Sequence, residues 1–316
     1  MEEMSSKLKL FNKNIVETYS LILVVIALGV ALSIITNTFL TPTNLLNVLR
    51  QISINGILAI GMTFVILTGG IDLSVGSVVA FCGIVAAGLV RDGHWSNGPV
   101  ILTALVVGVI LGLFNGYFVA YWNAAPFVVT LSLMTIARGM TFVYCNGRPI
   151  SPLTAEFLSI GRNSFLGLPI PALILLLVFI IGFVVLKYFS IGRYIYAVGG
   201  NENSAIVSGI NTKLVKLFAY AVSGALCGLV AVVLTSRVSA GMPQAGQSYE
   251  LDAIAATVIG GTSLSGGRGR LWGTVLGALL LGIVSNGLDL MNVSSFYQQI
   301  VKGVIILGAI LIDSKR

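Results

Sequence analysis

The amino-acid sequence predicts an all-α protein, a polytopic bundle of transmembrane helices. Of its 316 residues, 56% are hydrophobic and only 9% are charged, and the mean hydropathy is +0.99. A chain of this composition cannot cover a water-exposed surface with polar groups, so lipid must surround most of it. Apolar runs of about 20 residues, the length needed to cross a bilayer core, also recur along the chain.

About ten apolar segments are predicted to cross or enter the membrane, with both termini in the cytoplasm. The eighth is short and leads into a glycine-rich stretch, so it is expected to be broken or re-entrant. The chain then divides into a cytoplasmic tail (1–17), one transmembrane domain (18–312) and a second cytoplasmic tail (313–316). The predicted segment cores are residues 18–36, 51–68, 74–90, 99–121, 127–145, 169–188, 214–236, 250–262, 271–289 and 296–312.

The distribution of basic residues supports this orientation. The predicted inner connections hold eleven lysines and arginines, whereas the predicted outer connections hold five arginines and no lysine. Basic residues accumulate in the cytoplasmic loops of membrane proteins. The formal charge of +7 therefore orients the chain and does not indicate nucleic-acid binding.

Enzyme chemistry and metal binding are not expected. Three cysteines and one histidine are too few and too scattered for a disulfide framework, a Cys/His metal site or a Ser-His-Asp triad. The chain also lacks the G-x-x-x-x-G-K-[ST] phosphate-binding loop. The sequence thus predicts no cofactor and no catalytic residue, and uphill transport would draw its energy from a partner chain or an ion gradient.

Two glycine patterns bear on how the helices pack. GxxxG steps at Gly108-Gly112-Gly116, Gly224-Gly228 and Gly273-Gly277 predict seams where helix backbones approach closely. The pattern G-G-x-x-L-S-x-G also occurs twice, at residues 69–76 and 260–267. It indicates either a duplicated transporter core or a chance similarity between two glycine-rich turns.

Polar groups inside apolar segments are candidates for a transport pathway, because they are costly in lipid. Asp72 is expected chiefly to cap the helix that begins near Leu73. Arg138 lies in the middle of an apolar segment and needs a carboxylate, backbone carbonyls or a water-filled cavity as partner. Glu250 and Asp289 could instead lie in the wet interface. The full set of candidates is Asp72, Ser74, Arg138, Glu250, Asp252, Asn286, Asp289 and Lys302.

The longest predicted inner connection, residues 189–212, is too long for a simple turn. Gly199-Gly200 is predicted to break the chain, Asn201 to cap a short helix over 202–208, and Gly209 to end it. Such a helix could dock a soluble partner, although a solvated connector remains the alternative. The candidate docking residues are Gly199, Gly200, Asn201, Glu202, Asn203, Ser204, Ser208 and Gly209.

Three stretches together resemble the membrane permeases of bacterial ABC sugar importers. They read AIGMTFVILTGGIDLSVG (59–76), IGRYIYAVGGNENSAIVSGIN (191–211) and YELDAIAATVIGGTSLSGGRGRLWGTVLGALLLGIVSNGL (249–288). Within that group, which handles ribose, xylose, galactose and allose, the chain is most similar to the ribose type. The resemblance runs from about residue 40 to the C-terminus.

This resemblance implies a permease subunit in the bacterial inner (plasma) membrane that carries a monosaccharide, with ribose favoured. It implies a homodimer or pseudodimer, cytoplasmic ATP-binding subunits that hydrolyse the ATP, and a periplasmic or lipid-anchored sugar-binding protein. This chain departs from the family in the coupling loop. Importer permeases often carry the sequence E-A-A-x-x-x-G there, whereas here Asn203-Ser204 follows Glu202. Pairwise docking contacts therefore do not transfer directly from the general motif.

Two other transport mechanisms remain open on the sequence. An ion-coupled secondary sugar carrier would use Asp72, Asp252 or Asp289 as a proton or sodium site. A passive channel is less favoured, since the sequence shows no ring of charges and no carbonyl filter motif. Dependence on a co-expressed ATPase would distinguish the ABC importer from both.

Overall fold

The structure is a computed structural model in which residues 21–313 are described. Helices make up nearly all of its regular structure, as predicted. Two short strands, β1 (Ser164–Phe165) and β2 (Leu168–Pro169), pair antiparallel. The helices are α1 (Leu21–Ile35), α2 (Pro42–Leu67), α3 (Val75–Arg91), α4 (Asn97–Tyr121), α5 (Pro126–Cys145), α6 (Ala155–Arg162), α7 (Ile170–Tyr188), α8 (Ser190–Gly200), α9 (Glu202–Val207), α10 (Thr212–Val238), α11 (Tyr249–Ile259), α12 (Leu271–Leu290) and α13 (Ser295–Asp313).

Six of the described helices are long and apolar enough to cross a membrane, namely α2, α4, α5, α7, α10 and α12. Helices α1 and α3 are apolar but shorter. Helix α11 has 11 residues, or about 16 Å at 1.5 Å per residue, and cannot cross a hydrocarbon core of about 30 Å. The chain is therefore a helical membrane protein. The short α11 agrees with the predicted broken eighth segment, and the number of crossings remains a prediction.

Two helices extend beyond their predicted apolar cores. Helix α2 begins at Pro42, where Thr41 accepts the N–H of Asn44, so Arg50 lies inside this helix, and its Nη2 donates to the carbonyl of Arg162. Helix α10 begins at Thr212 and ends at Val238, beyond the predicted core 214–236. The predictions followed hydropathy, which falls at the membrane surface, whereas helical hydrogen bonding continues until a cap or turn ends it.

Three short elements were not predicted. Helix α6 and the β1–β2 hairpin lie in the connection between α5 and α7, and α8 precedes the predicted docking helix. Helix α6 packs on α10 through Ser236, whose hydroxyl accepts the N–H of Gly161 and donates to the carbonyl of Phe157, both at 2.7 Å. Such short elements are marginal alone, and tertiary contacts stabilise them.

Helix α2 forms the centre of the bundle. Every residue from 52 to 67 is buried, and α7, α10, α11 and α12 contact it. Helix α7 is also apolar, but it exposes large side chains such as Leu176, Leu177 and Ile181. A helix that is apolar on all sides needs either protein or lipid around it. Helix α2 is surrounded by protein, and α7 turns one face outward.

The predicted glycine seams are confirmed as helix contacts. Helices α4 and α10 cross with Gly108 against Gly224, and a Cβ on either glycine would overlap the other's carbonyl oxygen. A Cβ on Gly228 would overlap the carbonyl oxygen of Ala104. The third seam brings α12 against α11, where a Cβ on Gly277 would overlap the carbonyl oxygen of Ala256. The backbones therefore touch along both crossings.

Gly108→Ala is expected to destabilise the bundle, because the added methyl group cannot fit unless α4 and α10 separate. Overpacking of this kind costs about 1–3 kcal/mol. Gly98→Ala is the matched control in the same helix, since a Cβ there meets nothing within 4 Å. Thermal unfolding of the purified protein in detergent measures both. Equal stability of the two variants would contradict the backbone contact.

Candidate functional site

A cavity of about 890 Å³ lies between α3, α5, α11, α13 and the segment that precedes α11. It brings together Arg138, Glu250, Asp252 and Lys302, four of the eight polar candidates. Further polar side chains in its wall are Ser77, Thr135, Gln247, Ser248, Gln298 and Gln299. The cavity therefore offers hydrogen-bond donors and acceptors inside a chain that is otherwise mostly apolar.

Arg138 is half-buried on α5 and faces the protein. Its Nη1 donates to the carbonyl oxygen of Pro243 at 2.7 Å and to that of Ala245 at 2.9 Å. Backbone carbonyls were among the partners predicted for Arg138. The segment between α10 and α11 is not helical, so its carbonyls need donors from elsewhere. Arg138 supplies two such donor contacts and fixes this segment to α5.

Asp252 and Lys302 form an ion pair across the cavity wall. Lys302 Nζ lies 2.8 Å from Asp252 Oδ2, which joins α11 to α13. The side chain of Asp252 is 7% exposed and that of Lys302 is 25% exposed. Each charge is expensive alone in the membrane, and the pair largely cancels both. The ion pair also holds α13 to the bundle.

Glu250 lies against the beginning of α3. A Cβ on Gly76, the second residue of that helix, would lie 2.6 Å from Glu250 Oε2 and would overlap the carbonyl oxygen of Gly246. Glycine at position 76 therefore makes room for the carboxylate. The N-terminal turn of a helix carries a partial positive charge and stabilises a nearby anion.

Asp72 lies outside the cavity wall, in the loop between α2 and α3, and it is fully buried. Its Oδ1 accepts from the Ser74 N–H at 3.0 Å, the Ser74 hydroxyl at 2.6 Å and Asn115 Nδ2 at 3.3 Å, and its Oδ2 accepts from the Ser223 hydroxyl at 2.9 Å. No ion pair to Asp72 occurs within residues 21–313. These four bonds fix the loop to α4 and α10.

The predicted capping role of Asp72 is therefore wrong in its detail. The carboxylate binds the N–H of Ser74, the residue before α3, and Ser74 itself makes no side-chain cap to the helix. Ser74 instead donates its hydroxyl to Asp72 and accepts from Asn115 Nδ2 at 2.9 Å. Both residues hold the turn of the chain between α2 and α3.

The last two candidates also lie apart from the cavity wall. Asn286 and Asn44 exchange two side-chain amide hydrogen bonds at 2.9 and 2.8 Å, which join α12 to the start of α2. Asp289 is exposed near the end of α12 and accepts from Gln298 Nε2 at 2.7 Å. Its placement in the wet interface stays a prediction.

The short helix predicted over 202–208 is present as α9 (Glu202–Val207) and follows the unpredicted α8. The predicted break at Gly199-Gly200 is wrong: both glycines belong to α8, and the chain leaves the helix at Asn201, whose backbone is extended. Asn201 caps α9 by accepting the N–H of Ser204 at 2.9 Å, and Gly209 follows it with a φ of +80°, which favours glycine. Glu202 forms an ion pair with Lys216 of α10 at 2.6 Å. Val207 on α9 is 90% exposed. Helix α9 is thus a fixed element with an apolar tip.

Sequence reasoning missed part of the cavity wall, although a signal for it was present. Ser295, Gln298, Gln299 and Lys302 follow the i, i+3, i+4, i+7 spacing that places side chains on one face of a helix. All four line the cavity from α13. The polar face of α13 could therefore have been found from its period.

Comparison with known proteins places the chain in a family. Residues 44–310 match the family described as branched-chain amino acid transport system / permease component. The chain belongs to this permease family. The ribose import permease protein of Bacillus subtilis is 48% identical, covering 92% of this chain and 90% of the relative. That of Haemophilus influenzae is 47% identical, over 95% and 94%.

A more distant relative is the D-allose transport system permease protein of Escherichia coli. It is 36% identical, covering 94% of this chain and 90% of its own length. No solved structure gives a significant match.

The Asp252–Lys302 pair leads to a double-mutant prediction. Asp252→Asn and Lys302→Gln should each lower stability, because each leaves one charge without its partner. The expected loss in the free energy of unfolding lies between about 1 kcal/mol, as for exposed ion pairs, and about 3 kcal/mol, the lower bound for breaking buried ion pairs. The double variant should lose less than the sum of the two. Thermal unfolding of the four proteins measures this, and strictly additive losses would contradict the pairing.

Proposed function

We propose that this chain is the membrane permease subunit of an ATP-binding-cassette importer that carries ribose. The observation that carries the proposal is the similarity to ribose import permeases from three bacteria, which are 45–48% identical over at least 92% of this chain. Relatives named for xylose and allose are 34–36% identical. The difference favours ribose among the monosaccharides.

The cavity is the proposed path of the sugar. Its volume of about 890 Å³ falls within the range of roughly 300–1,000 Å³ that is usual for small-molecule sites. Carboxylates and amides in its wall match the hydroxyl groups of a monosaccharide, which both donate and accept hydrogen bonds. Arg138, Glu250, Asp252 and Lys302 are the residues proposed to shape this path.

The same geometry disfavours the ion-coupled carrier. Asp252 is already paired with Lys302, and Asp72 accepts four hydrogen bonds. Asp289 is exposed and bonded to Gln298. A proton or sodium site would require one of these carboxylates to exchange its partners for the ion. ATP hydrolysed on a separate chain is therefore the proposed energy source.

The proposed topology has ten crossings with both termini in the cytoplasm of a bacterial cell. Contacts between the segments that connect the helices support two opposite ends of the bundle, one for each side of the membrane. At one end, Tyr196 of α8 donates to the carbonyl of Gly269. At the other, Ile150 pairs with Gly241, and Arg162 donates to the hydroxyl of Ser239. The first end is the proposed cytoplasmic one, and the second is proposed to face the sugar-binding protein.

A second copy of the chain is proposed to cover the cavity side of the bundle. Helices α5 and α13 border the cavity and expose apolar side chains, among them Val143 at 79% and Phe296 at 79%. A charged cavity open to lipid would be costly. A second permease beside α5 and α13 would replace lipid with protein at that opening, which supports a homodimer.

Helix α9 is the proposed docking element for the ATPase, together with the neighbouring residues 199–209. Its exposed tip, Ile206 at 53% and Val207 at 90%, offers apolar contact area outside the described membrane helices. The ion pair of Glu202 with Lys216 fixes α9 to α10. Glu202→Lys would place two ammonium groups together and displace the docking element.

The importer mechanism predicts which energy source drives uptake. In proteoliposomes that contain the permease with its ATPase and binding protein, ribose uptake should require ATP and both partners. Collapse of proton and sodium gradients should leave uptake unchanged, and ribose should enter faster than xylose or allose. Uptake that persists without the ATPase and stops with ionophores would support the secondary carrier instead.

The docking surface predicts a specific effect of Val207→Asp. If Val207 is buried against the ATPase, the aspartate variant loses at least the free energy gained by removing the valine side chain from water. The ATPase should therefore bind about tenfold more weakly, or weaker still. Leu166→Asp is the matched control, because Leu166 is 88% exposed in the β1–β2 turn at the other end. Co-purification and titration of the ATPase measure both. If Val207→Asp binds the ATPase normally, α9 is not the docking surface, and residues 263–270 become the proposed one.

A further inference from the structure

The C-terminal end of α8 packs directly on two glycine-rich loops. One follows α2 and the other follows α11, and they contain the two copies of the G-G-x-x-L-S-x-G pattern. The N–H of Gly267 donates to the carbonyl of Leu67 at 3.0 Å. The second loop is closed by Ser263, whose N–H donates to the carbonyl of Arg268 at 2.9 Å. The two repeats thus meet at the end of α8.

The contact with α8 is made by backbone atoms. A Cβ on Gly199 would overlap the carbonyl oxygen of Leu67. A Cβ on Gly267 would lie 2.6 Å from the Gly200 Cα, and one on Gly266 would lie 2.8 Å from the Gly69 nitrogen. Backbone in direct contact leaves no soft side chain to absorb a displacement. A movement of α8 must therefore displace these loops.

One side chain adds a directional bond to this contact. The hydroxyl of Tyr196 on α8 donates to the carbonyl of Gly269 at 3.0 Å. A tyrosine hydroxyl is protonated at neutral pH, and burial raises the pKa of Tyr196 further. This bond ties α8 to the loop just before α12 begins.

Helix α11 connects the loop to the cavity. Its last residue, Ile259, lies next to the loop, and its first turn carries Glu250 and Asp252 in the cavity wall. Gly260 lies eight positions after Asp252, which is about 12 Å of helix. Since α11 is a single unbroken helix held against α12, it moves as a rod.

We propose that residues 260–269 form a joint that transmits movement of the docking segment α8–α9 to α11, and through it to Glu250 and Asp252. Tyr196 and Gly199 are positioning residues of this joint, and they do not touch the sugar. Displacing α11 changes the distance between Asp252 and Lys302 and hence the shape of the cavity. The inference rests on the proposed function, because it assumes that an ATPase moves α8–α9.

Three variants test the joint with uptake and ATP hydrolysis measured together. Tyr196→Phe removes only the hydroxyl, and Gly199→Ala introduces the overlap with Leu67. Gly98→Ala in α4 is the control outside the docking segment, since a Cβ there meets nothing within 4 Å. We expect Tyr196→Phe to co-purify with the ATPase normally but to carry at least about threefold less ribose per ATP, a typical size for coupling residues. Gly199→Ala should show the same loss of ribose carried per ATP hydrolysed by the ATPase that stays bound. Gly98→Ala should match the wild type.

A second readout follows the cavity itself. The three native cysteines are buried, so Gln299→Cys places one accessible thiol in the cavity wall. Its rate of labelling should change on ATP addition, and Tyr196→Phe should reduce that change. If Gly199→Ala fails to fold, Tyr196→Phe decides alone. Wild-type transport per ATP together with a wild-type labelling change in Tyr196→Phe would overturn the joint. Failure of the proposed function would appear separately, as absence of ATP-driven ribose uptake by the wild type.

Discussion

Helices α4 and α10 touch backbone to backbone, and Gly108, Gly224 and Gly228 leave the space for that contact. Lipid is as apolar as the helices, so close packing has to replace the hydrophobic effect as the force that holds helices together. Helix α10 is thereby fixed beside α4, and it carries Ser223 and Tyr220 toward the loop after α2. Ser223 binds Asp72, and the Tyr220 hydroxyl binds the carbonyl of Ile71 at 3.1 Å. The position of the loop that follows α2 therefore depends on the glycine contact between α4 and α10.

The cavity follows a second constraint, that charge inside a membrane must be paired. Arg138 binds two carbonyls and Lys302 binds Asp252. A sugar on the proposed path would compete with these existing hydrogen bonds, or share them. Strong binding would trap the sugar, and a path needs interactions that are weak enough to release it. A polar wall in which Arg138, Asp252 and Lys302 are already bonded within the protein suits passage better than storage.

The protein joins these two regions by rigid elements. Helix α11 reaches from the cavity to the glycine-rich loop that contacts α8, and α9 extends α8 toward solvent. Asn201 and Gly209 shape the connection around α9 through a cap and a positive φ. The importer proposal thus has a continuous physical route between the site of docking and the proposed path.

The sequence by itself determined the features that arise from local chemistry. Its composition determined the helical membrane class, the GxxxG steps marked the close crossings, and Asn201 and Gly209 bounded α9, because caps and glycine turns act within a few residues. Its motifs pointed to the permease family that the comparisons confirm. Only the tertiary structure decided that Arg138, Glu250, Asp252 and Lys302 share a cavity while Asp72 and Asn286 hold other contacts. Residues that lie more than 100 positions apart meet through the rotation and crossing of packed helices, and a single sequence without its fold does not specify those rotations.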